Sequence, residues 1–345
     1  MNIICDKPLY FDELKSIYGE SKPKIQIITH DDMDGYASAA VVYWAFKKAG
    51  FISEDNFSIT HYNYSDKIPS CDQSANIIFI TDYSISNEGF MKDLRQTYDH
   101  NKHKIFWCDH HQTSIDNCKG EYTILKNIPG IRDTKYCGAA LAWFYLNPGS
   151  TDANLPKILR LVDDYDCWKK KIKESDYLNA AFNYNQEYYK DLHDPTSDLW
   201  EHLIYYRGNS EFSVTGHKLI DYGEKSCQIQ RDTEWANIRR NGWIGTLDKF
   251  PDVKMICLNN DSKGSQLFSD LLKSKEYPNG KYTHACAFQF DGSKMVYSIY
   301  SAENASPNAQ KICEAYGGGG HPGAAGFQSK SIVVKKVEEI PDMHK

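Results

Sequence analysis

The stretch Lys-Ile-Phe-Trp-Cys-Asp-His-His-Gln-Thr, residues 104–113, decides the fold of this chain. Residues 105–108 form a short apolar run, the pattern of a strand that is buried on both faces. The run ends abruptly at Asp109, His110 and His111, three side chains that can bind a metal or transfer a proton. The stretch therefore predicts a buried strand that ends in a metal site.

Two earlier stretches show the same order, an apolar run that ends in acidic residues. Residues 25–29 lead into a segment that begins with His30, and residues 77–81 lead into Asp82. In open α/β sheets the ligand crevice lies beyond the carboxyl ends of the strands. Three strands that end in this way would aim their polar side chains into one crevice, which predicts a site for more than one metal ion.

The first of these strand ends carries three candidate ligands, His30, Asp32 and Asp34. If the chain stays extended beyond residue 29, these three side chains point to one side, because side chains alternate along a strand. Gly35 then permits the chain to turn sharply into a helix. The expected ligand set at this strand end is therefore all three residues.

Composition predicts a soluble globular protein. The 345 residues are 41% hydrophobic and 25% charged, and this length is sufficient for two domains with their own cores. The net charge of −6 and the pI near 6.1 disfavour binding to long duplex nucleic acid, which draws on many contacts from Lys and Arg to phosphate. A short anionic substrate held by metals is compatible with this charge.

The ten cysteines are scattered, and no Cys-x-x-Cys pair occurs, so the spacing excludes zinc fingers. A reducing cytoplasm is the simplest interpretation. The first ten residues lack the basic-then-apolar order of a signal peptide, and no apolar run approaches the roughly 20 residues of a membrane span. We therefore expect a cytoplasmic protein without a secretion signal or a membrane anchor.

The first half of the chain alternates between apolar runs and helix-like stretches, as expected for a parallel sheet with right-handed crossovers. Strands are predicted at residues 25–29, 57–62, 76–81 and 104–108. Helices are predicted at 11–18, 36–49, 88–98, 138–146 and 155–162. Residues 122–126 are a candidate for a further strand.

Residues 169–241 are polar, aromatic-rich and helical in pattern, and a second alternating region follows. In that region strands are predicted at 254–258, 285–290 and 295–300, a hairpin turn at Asp291-Gly292-Ser293, and helices at 265–273 and 309–316. The sequence thus predicts a catalytic domain over 1–168, a helical connector over 169–241 and a smaller α/β domain over 242–345.

The residue types at the strand ends suit divalent ions such as Mn²⁺, and the lack of cysteine ligands disfavours structural zinc. A paired site needs about six protein ligands, one of them a carboxylate that bridges two ions. That number is supplied by His30, Asp32, Asp34, Asp82, His110 and one acid among Asp163, Asp164 and Asp166. Any one of these acids alone is more often a strand-end cap or a solvated turn, and the joint pattern favours metal binding.

A run of four glycines at 317–320 precedes His321 and follows a predicted helix. Flexible linkers usually mix Gly with Ser, whereas His, Pro and two Ala follow this run. Glycines let backbone N–H groups approach an anion closely, and a neighbouring His adds a donor. The run therefore predicts phosphate binding by Gly318, Gly319, Gly320 and His321.

Together these motifs resemble the DHH/DHHA1 phosphoesterase family. They are His30-x-Asp32-x-Asp34-Gly35, Asp82, Asp109-His110-His111, the Asp164 region and Gly318-Gly319-Gly320-His321-x-x-Ala324-Ala325-Gly326. The resemblance implies an N-terminal DHH domain built on a parallel sheet, a helical connector and a smaller C-terminal α/β DHHA1 domain that holds the substrate.

Position by position, the resemblance implies two ion sites that share one carboxylate. His30, Asp32 and Asp82 would bind the first ion. Asp34, His110 and Asp164 would bind the second ion together with Asp82, whose carboxylate would bridge the two ions. Mn²⁺ is the implied cofactor at both sites, with Mg²⁺ or Co²⁺ as substitutes.

The resemblance also assigns roles beside the ions. His111 would contact the scissile phosphate, and Asp109 would orient its neighbours. In the fourth motif Asp163, Asp164 and Asp166 are all candidate metal ligands. Asp164 is preferred because the Asp-x-Asp-x-Trp pattern resembles that of one subgroup of the family.

The leading functional interpretation is a metal-dependent phosphodiesterase that removes mononucleotides from short oligonucleotides by means of water activated by two metal ions, similar to the nano-RNase branch of this family. The alternative is a hydrolase of cyclic or linear dinucleotide signals, or of 3′-phosphoadenosine 5′-phosphate. Tyr300 departs from the family, in which an arginine is common at that position, so substrate phosphate contacts there are open. A homodimer is also left open.

Other classes fit less well. A processive single-strand exonuclease would need added nucleic-acid-binding modules and a basic surface. A non-catalytic nucleotide sensor would be expected to have lost ligands, whereas this set is complete. A manganese pyrophosphatase shares the Asp-His-His motif, but the Gly-Gly-Gly-His motif fits that class poorly.

Overall fold

The structure is a computed structural model, and it describes residues 4–5, 8–63, 68–85, 88–99, 104–112, 115–116, 123–206, 213–259, 268, 271–272 and 281–340. The chain divides into two compact units, an N-terminal unit (Met1–Cys227) and a C-terminal unit (Gln228–Lys345). The predicted three-part division at residues 168 and 241 stays a prediction.

The secondary structure of the N-terminal unit alternates as expected. Its strands are β1 (Ile4–Cys5), β2 (Ile25–His30), β3 (Phe57–Tyr62), β4 (Ile77–Thr81), β5 (Lys104–Cys108) and β6 (Ile131–Arg132). Its helices are α1 (Phe11–Tyr18), α2 (Met33–Lys48), α3 (Glu88–Asp99), α4 (Thr123–Asn127), α5 (Gly138–Leu146), α6 (Lys157–Asp166), α7 (Lys173–Tyr184), α8 (Tyr189–Leu192) and α9 (Asp198–Tyr205). A longer helix, α10 (Val214–Asn241), contains residues of both units.

Four strands of the N-terminal unit form one parallel sheet in the order β3-β2-β4-β5. Ile27 of β2 pairs with Ile59 on one side and with Phe79 on the other. The strand order reverses at β2, and ligands of open α/β sheets bind at such a switch point, beyond the carboxyl ends of the strands. Strands β2 and β4 are buried almost throughout, which explains why they are continuous apolar runs.

Helices cover both faces of this sheet. On one face α2 packs against β2 and against α5 and α6, and it is apolar nearly all round because it is buried between these elements. On the other face Phe90 and Leu94 of α3 belong to one core cluster with Ile78 and Trp107 of the sheet. Each such side chain contributes roughly 1.5–3 kcal/mol when buried, so the sheet is a rigid base for the residues at its strand ends.

The predicted strand at 122–126 is wrong, because residues 123–127 form helix α4. Leu125 of this helix and Ile128, which follows it, both reach the core cluster beneath the sheet. The place beside β5 is taken instead by Arg132, which forms a parallel bridge with Asp109. The other strands and helices predicted for this unit are confirmed, with ends that differ by a few residues.

In the described part of the C-terminal unit, seven strands form a mixed sheet in the order β11-β12-β10-β9-β8-β7-β13, in which only β8 and β9 pair in parallel. The strands are β7 (Trp243–Leu247), β8 (Phe250–Asn259), β9 (His284–Phe290), β10 (Met295–Ser301), β11 (Gly319–Gly320), β12 (Ala324–Ser329) and β13 (Val334–Glu339), with helix α11 (Ala309–Glu314). The expected α/β architecture of both parts of the chain is confirmed.

The hairpin predicted between β9 and β10 is confirmed, with Gly292 in the left-handed region (φ +97°) and the Asp291 N–H donating to the Lys294 carbonyl. Of the predicted helix at 265–273, residues 268, 271 and 272 are helical, and the rest lies outside the described residues. Among the described residues, no helix combines the length and the apolar character that a membrane span requires.

Candidate metal centre

The carboxyl end of β2 places two candidate ligands side by side. His30 is the last residue of the strand, and its Nδ1 lies 2.9 Å from Asp32 Oδ2. Asp32 is the N-cap of α2, because its Oδ1 accepts a hydrogen bond from the Gly35 N–H at 2.9 Å. A Cβ on Gly35 would lie 2.0 Å from the His30 carbonyl oxygen, so only glycine permits this tight turn.

Asp34 lies inside α2 rather than on an extended chain, and this changes its surroundings. Its carboxylate is buried and accepts hydrogen bonds from the N–H groups of Gly138 (2.6 Å) and Ala139 (2.9 Å) at the start of α5. Its Oδ2 also lies 3.8 Å from His110 Nε2. Asp34 therefore joins the start of α5 to the cluster of candidate ligands.

Asp82 follows β4 and is held in an unusual backbone conformation. Its φ is +51°, in the left-handed region that non-glycine residues adopt at a cost of about 1–3 kcal/mol. Its Oδ1 lies 3.2 Å from His110 Nε2, and its buried Oδ2 accepts no hydrogen bond from any residue that the structure describes. A carboxylate with a free buried oxygen at a strand end has the chemistry of a cation ligand.

Gly138 is a functional residue that sequence reasoning missed. A Cβ at this position would lie 2.5 Å from the Asp82 Cβ, and the Gly138 N–H binds Asp34. The absence of a side chain therefore lets α5 approach both acids. The only signal in the sequence is the run of small residues at 138–140, which is equally typical of an ordinary packed helix.

The Asp109-His110-His111 segment follows β5, and its acid is fully buried. Asp109 Oδ1 accepts hydrogen bonds from the His110 N–H at 2.9 Å and from the His111 ring Nδ1 at 2.8 Å. This arrangement orients the His111 ring beside the strand end. Asp109 thus contacts both residues that follow it, and its catalytic role stays a prediction.

The structure does not bring Asp164 to the cluster. Its carboxylate is buried and accepts hydrogen bonds from the Lys171 N–H, the Ile172 N–H and the Ser175 hydroxyl at 2.8–3.1 Å. The two N–H donors lie in the turn after α6 and Ser175 lies in the first turn of α7, so this acid holds the connection between the two helices.

Asp166, another of the three candidates in the fourth motif, lies at the strand-end residues. Its Oδ2 lies 3.3 Å from His110 Nε2, and this buried oxygen accepts no hydrogen bond from the described residues. Asp163, the third candidate, accepts a hydrogen bond from the Cys137 N–H and pairs with Lys169. The geometry therefore favours Asp166 as the acid that the fourth motif offers to a metal.

The candidate ligands converge in three overlapping groups whose ligand atoms lie within 4.8 Å of one another. The groups are His30, Asp32 and Asp82; Asp82, His110 and His111; and His110, Asp166 and Cys167. We call these residues, together with Asp34, the strand-end cluster. Cys167 is a member that the sequence analysis did not anticipate, because a single cysteine beside an acid carries no motif.

Burial and mutual repulsion shift the protonation of these acids. Burial, followed by the nearby charges of Asp34 and Asp32, raises the pKa of Asp82 well above its usual value and that of Asp166 to about 9. Burial lowers the pKa of His30, but the hydrogen bond and charge of Asp32 outweigh it, so that the net shift is upward. The acids therefore lack compensating positive charge, which divalent cations would supply.

The glycine run of the C-terminal unit is part of its sheet. Gly319 and Gly320 form β11, which pairs with β12, and the Gly318 N–H donates to the Cys313 carbonyl. A Cβ on Gly318 would lie 2.1 Å from the Gly326 carbonyl oxygen, so close packing alone requires a glycine there. His321 is exposed at the end of this strand.

Tyr300 lies in the core of the C-terminal unit. Its ring stacks on Phe268 with centroids 4.9 Å apart, and it is 8% exposed. The residue at this position therefore contributes to packing.

The N-terminal unit is therefore a parallel α/β domain that carries a cluster of acids and histidines at its strand ends. Residues 24–162 match the sequence model of the DHH family, N-terminal domain. No curated protein sequence matches the chain.

Several solved structures are similar to this chain at low sequence identity. A DHH domain described as a member of the s1p family of ribosomal proteins is 15% identical, with a TM-score of 0.53 over 92% of this chain and 85% of that chain. A pGpG-specific phosphodiesterase from Vibrio cholerae is 15% identical, with a TM-score of 0.48 over 89% and 93%. RecJ from Thermus thermophilus in complex with Mn²⁺ is 14% identical, with a TM-score of 0.43 over 92% and 51%.

Proposed function

We propose that this protein is a metal-dependent phosphodiesterase that hydrolyses short oligonucleotides to mononucleotides, with Mn²⁺ as its cofactor. One observation carries the proposal: acids and histidines from four separate stretches meet at the switch point of a parallel sheet, with two buried carboxylate oxygens that accept no hydrogen bond from the described residues. That set is the one expected of a site for two hard divalent ions.

The residues present fit such a pair of ions. His30 and Asp32 would hold one ion, His110 and Asp166 the other, and Asp82 would lie between them, since its carboxylate belongs to groups on both sides. When bound, the ions would lower the pKa of a water molecule and neutralise charge on the phosphate oxygens. Asp34 would act mainly through the backbone groups at the start of α5 that it binds.

His111 is the best candidate to contact the reacting phosphate. Its Nδ1 is held by Asp109, and its ring centroid is 4.5 Å from that of His110. Burial lowers the pKa of His111, but the hydrogen bond and charge of Asp109 raise it more, so the net shift favours the charged imidazolium. A charged donor beside the cluster would bind a phosphate oxygen and stabilise the charge that develops there.

The C-terminal unit would supply substrate binding. His321 is exposed directly after β11, and an imidazole in that position is free to donate to a phosphate. The assignment of Gly318, Gly319, Gly320 and His321 to this role rests on the resemblance of the motif, and Gly318 has a packing role as well.

The proposal is tested with a panel of substrates at a fixed Mn²⁺ concentration. The panel comprises RNA and DNA of two to twenty-four nucleotides, a cyclic dinucleotide, a linear dinucleotide and 3′-phosphoadenosine 5′-phosphate. We expect release of mononucleotides from the shortest oligonucleotides at the highest kcat/KM. Exclusive hydrolysis of the cyclic dinucleotide or of 3′-phosphoadenosine 5′-phosphate would assign the site to the alternative substrates, and no hydrolysis of any member would contradict the proposal.

A further inference from the structure

The turn that follows α6 carries a tryptophan in an exposed and strained position. Trp168 has φ +52°, in the left-handed region, where a bulky side chain is a true outlier. All seven tryptophans lie in the described part of the chain, and Trp168 alone is exposed, at 57%. Its ring makes an edge contact with Tyr165, with centroids 6.4 Å apart, yet most of the residue stays outside the core while its backbone is held in a costly conformation. Strain of this kind at a surface aromatic points to a binding role.

Asp164 explains how the strained turn is maintained. Its backbone carbonyl accepts hydrogen bonds from the Lys169 and Lys170 N–H groups, and its carboxylate accepts those of the Lys171 and Ile172 N–H groups. Lys170 has φ +49°, so the turn contains two left-handed residues. The buried Asp164 thus fixes the backbone of the residues that follow Trp168. The backbone position of Trp168 is therefore set by the fold.

This turn starts at the strand-end cluster. Asp166, whose Oδ2 is 3.3 Å from His110, is only two residues before Trp168, and two residues span at most about 7 Å. Cys167, the neighbour of Trp168, has its Sγ within 4.8 Å of ligand atoms of His110 and Asp166. The backbone that carries the indole therefore begins at the margin of the site where a phosphate would be cleaved.

The charges around the indole suit a nucleotide. The Lys170 ammonium lies 4.3 Å from the Trp168 ring centroid and is paired with Asp176, so it covers part of the ring without adding an unpaired charge. Lys171 is exposed in the same turn and is available to a backbone phosphate. An aromatic plane beside an exposed cation is the arrangement with which proteins bind single-stranded nucleic acid.

We propose that Trp168 is a stacking platform for a nucleobase of the substrate, held by Asp164 at the margin of the strand-end cluster. This inference rests on the proposed phosphodiesterase function and deepens it. The class of substrate it selects has a base next to the scissile phosphate, so that short oligonucleotides and linear dinucleotides are favoured over phosphodiesters without bases.

The test compares the 5′-phosphorylated dinucleotide pApA with two counterparts, each of which lacks one of its adenines. The quantity measured is the ratio of kcat/KM for pApA to that for each counterpart, with Mn²⁺ at a fixed concentration. We expect Trp168→Ala and Trp168→Leu to lower one of these two ratios about tenfold, since stacking on an aromatic side chain is lost. Trp168→Phe should retain most of that ratio, because a smaller ring still stacks.

The control variant is Tyr10→Ala, which removes another exposed aromatic ring, 48% exposed, outside the cluster. It should leave both ratios unchanged. If Trp168→Ala hydrolyses pApA with both ratios unaltered, the inference is wrong while the proposed function stands. If the unaltered protein hydrolyses none of the three dinucleotides, the proposed function itself fails.

A second measurement does not depend on the stability of the alanine variant. Tryptophan emission of the unaltered protein should be quenched by pApA and much less by one of the counterparts, since a base that stacks on an exposed indole quenches it. In Trp168→Phe this difference should disappear. Equal quenching of the unaltered protein by all three dinucleotides would overturn the inference.

Discussion

The strand-end cluster and the glycine run are both short motifs, but their residues are used in different ways. The cluster gathers side chains from separate strands and leaves the Oδ2 atoms of Asp82 and Asp166 without hydrogen bonds from the described residues. In the glycine run the backbone is already bound into the C-terminal sheet, and Gly318 is needed for packing. Buried carboxylates without hydrogen bonds strongly support the binding of a cation. The glycine motif is weaker evidence for phosphate binding, because packing in the sheet also explains it.

The largest expected effect is at Asp82. Asp82→Asn removes the carboxylate that lies between the two proposed ions, and the cations would then face each other with less compensation. We expect a fall in kcat/KM of about 1000-fold, equivalent to about 4 kcal/mol, together with the loss of at least one metal equivalent. Elemental analysis and steady-state kinetics measure both quantities. An unchanged metal content with an unchanged rate would remove Asp82 from the site.

A matched pair of variants separates the two acids of the fourth motif. Asp166→Asn should lower metal content and reduce kcat/KM by about 100-fold, since it removes a proposed ligand. Asp164→Asn should keep the metal but destabilise the protein by about 1–3 kcal/mol, because an amide cannot satisfy all the donors that the buried acid binds. Metal content and urea denaturation distinguish them. The reverse pattern would restore Asp164 as the ligand.

His321 tests the predicted division of labour between the units. His321→Ala should reduce oligonucleotide hydrolysis about ten- to a hundred-fold, because a charge-assisted hydrogen bond to phosphate contributes roughly 1.5–3 kcal/mol. Hydrolysis of bis-p-nitrophenyl phosphate should fall much less, and the metal content should not change. Equal losses on both substrates, or a fall in bound manganese, would place His321 at the metal site.

The smallest expected effect compares neighbouring glycines of the run. A Cβ on Gly318 would lie 2.1 Å from a backbone oxygen, whereas a Cβ on Gly319 would meet nothing within 4 Å among the described residues beyond its chain neighbours. Gly318→Ala should therefore destabilise the protein by about 1–3 kcal/mol, and Gly319→Ala should change its stability by less than about 0.5 kcal/mol. Urea denaturation gives both free energies of unfolding. Equal destabilisation by the two variants would show that the packing account of Gly318 is incomplete.

Much of the fold could be predicted because its signals are local. Buried parallel strands are continuous apolar runs, and Asp109, His110 and His111 directly follow one of them. The error at residues 123–127 arose where a short apolar segment suits either a strand or a helix. Leu125 reaches the core only because the segment is helical, and that choice depends on the neighbouring sheet.

The roles of site residues could not be predicted where they depend on contacts between parts of the chain that are distant in sequence. In helix α6 two residues are about 200° apart around the axis, so Asp164 and Asp166 point to opposite sides, and the sequence alone cannot show which side faces the cluster. The need for glycine at position 138 likewise depends on the approach of Asp82, which follows β4 far away in the sequence.

The central claim is that the strand-end cluster holds two divalent ions that hydrolysis requires. The most direct test is calorimetric titration of chelator-treated protein with Mn²⁺, followed by hydrolysis assays at each degree of saturation. We predict two ions bound per chain, no turnover in the metal-free protein, and recovery of turnover as the sites fill. Full turnover by the metal-free protein, or saturation of turnover with no bound Mn²⁺, would contradict the account.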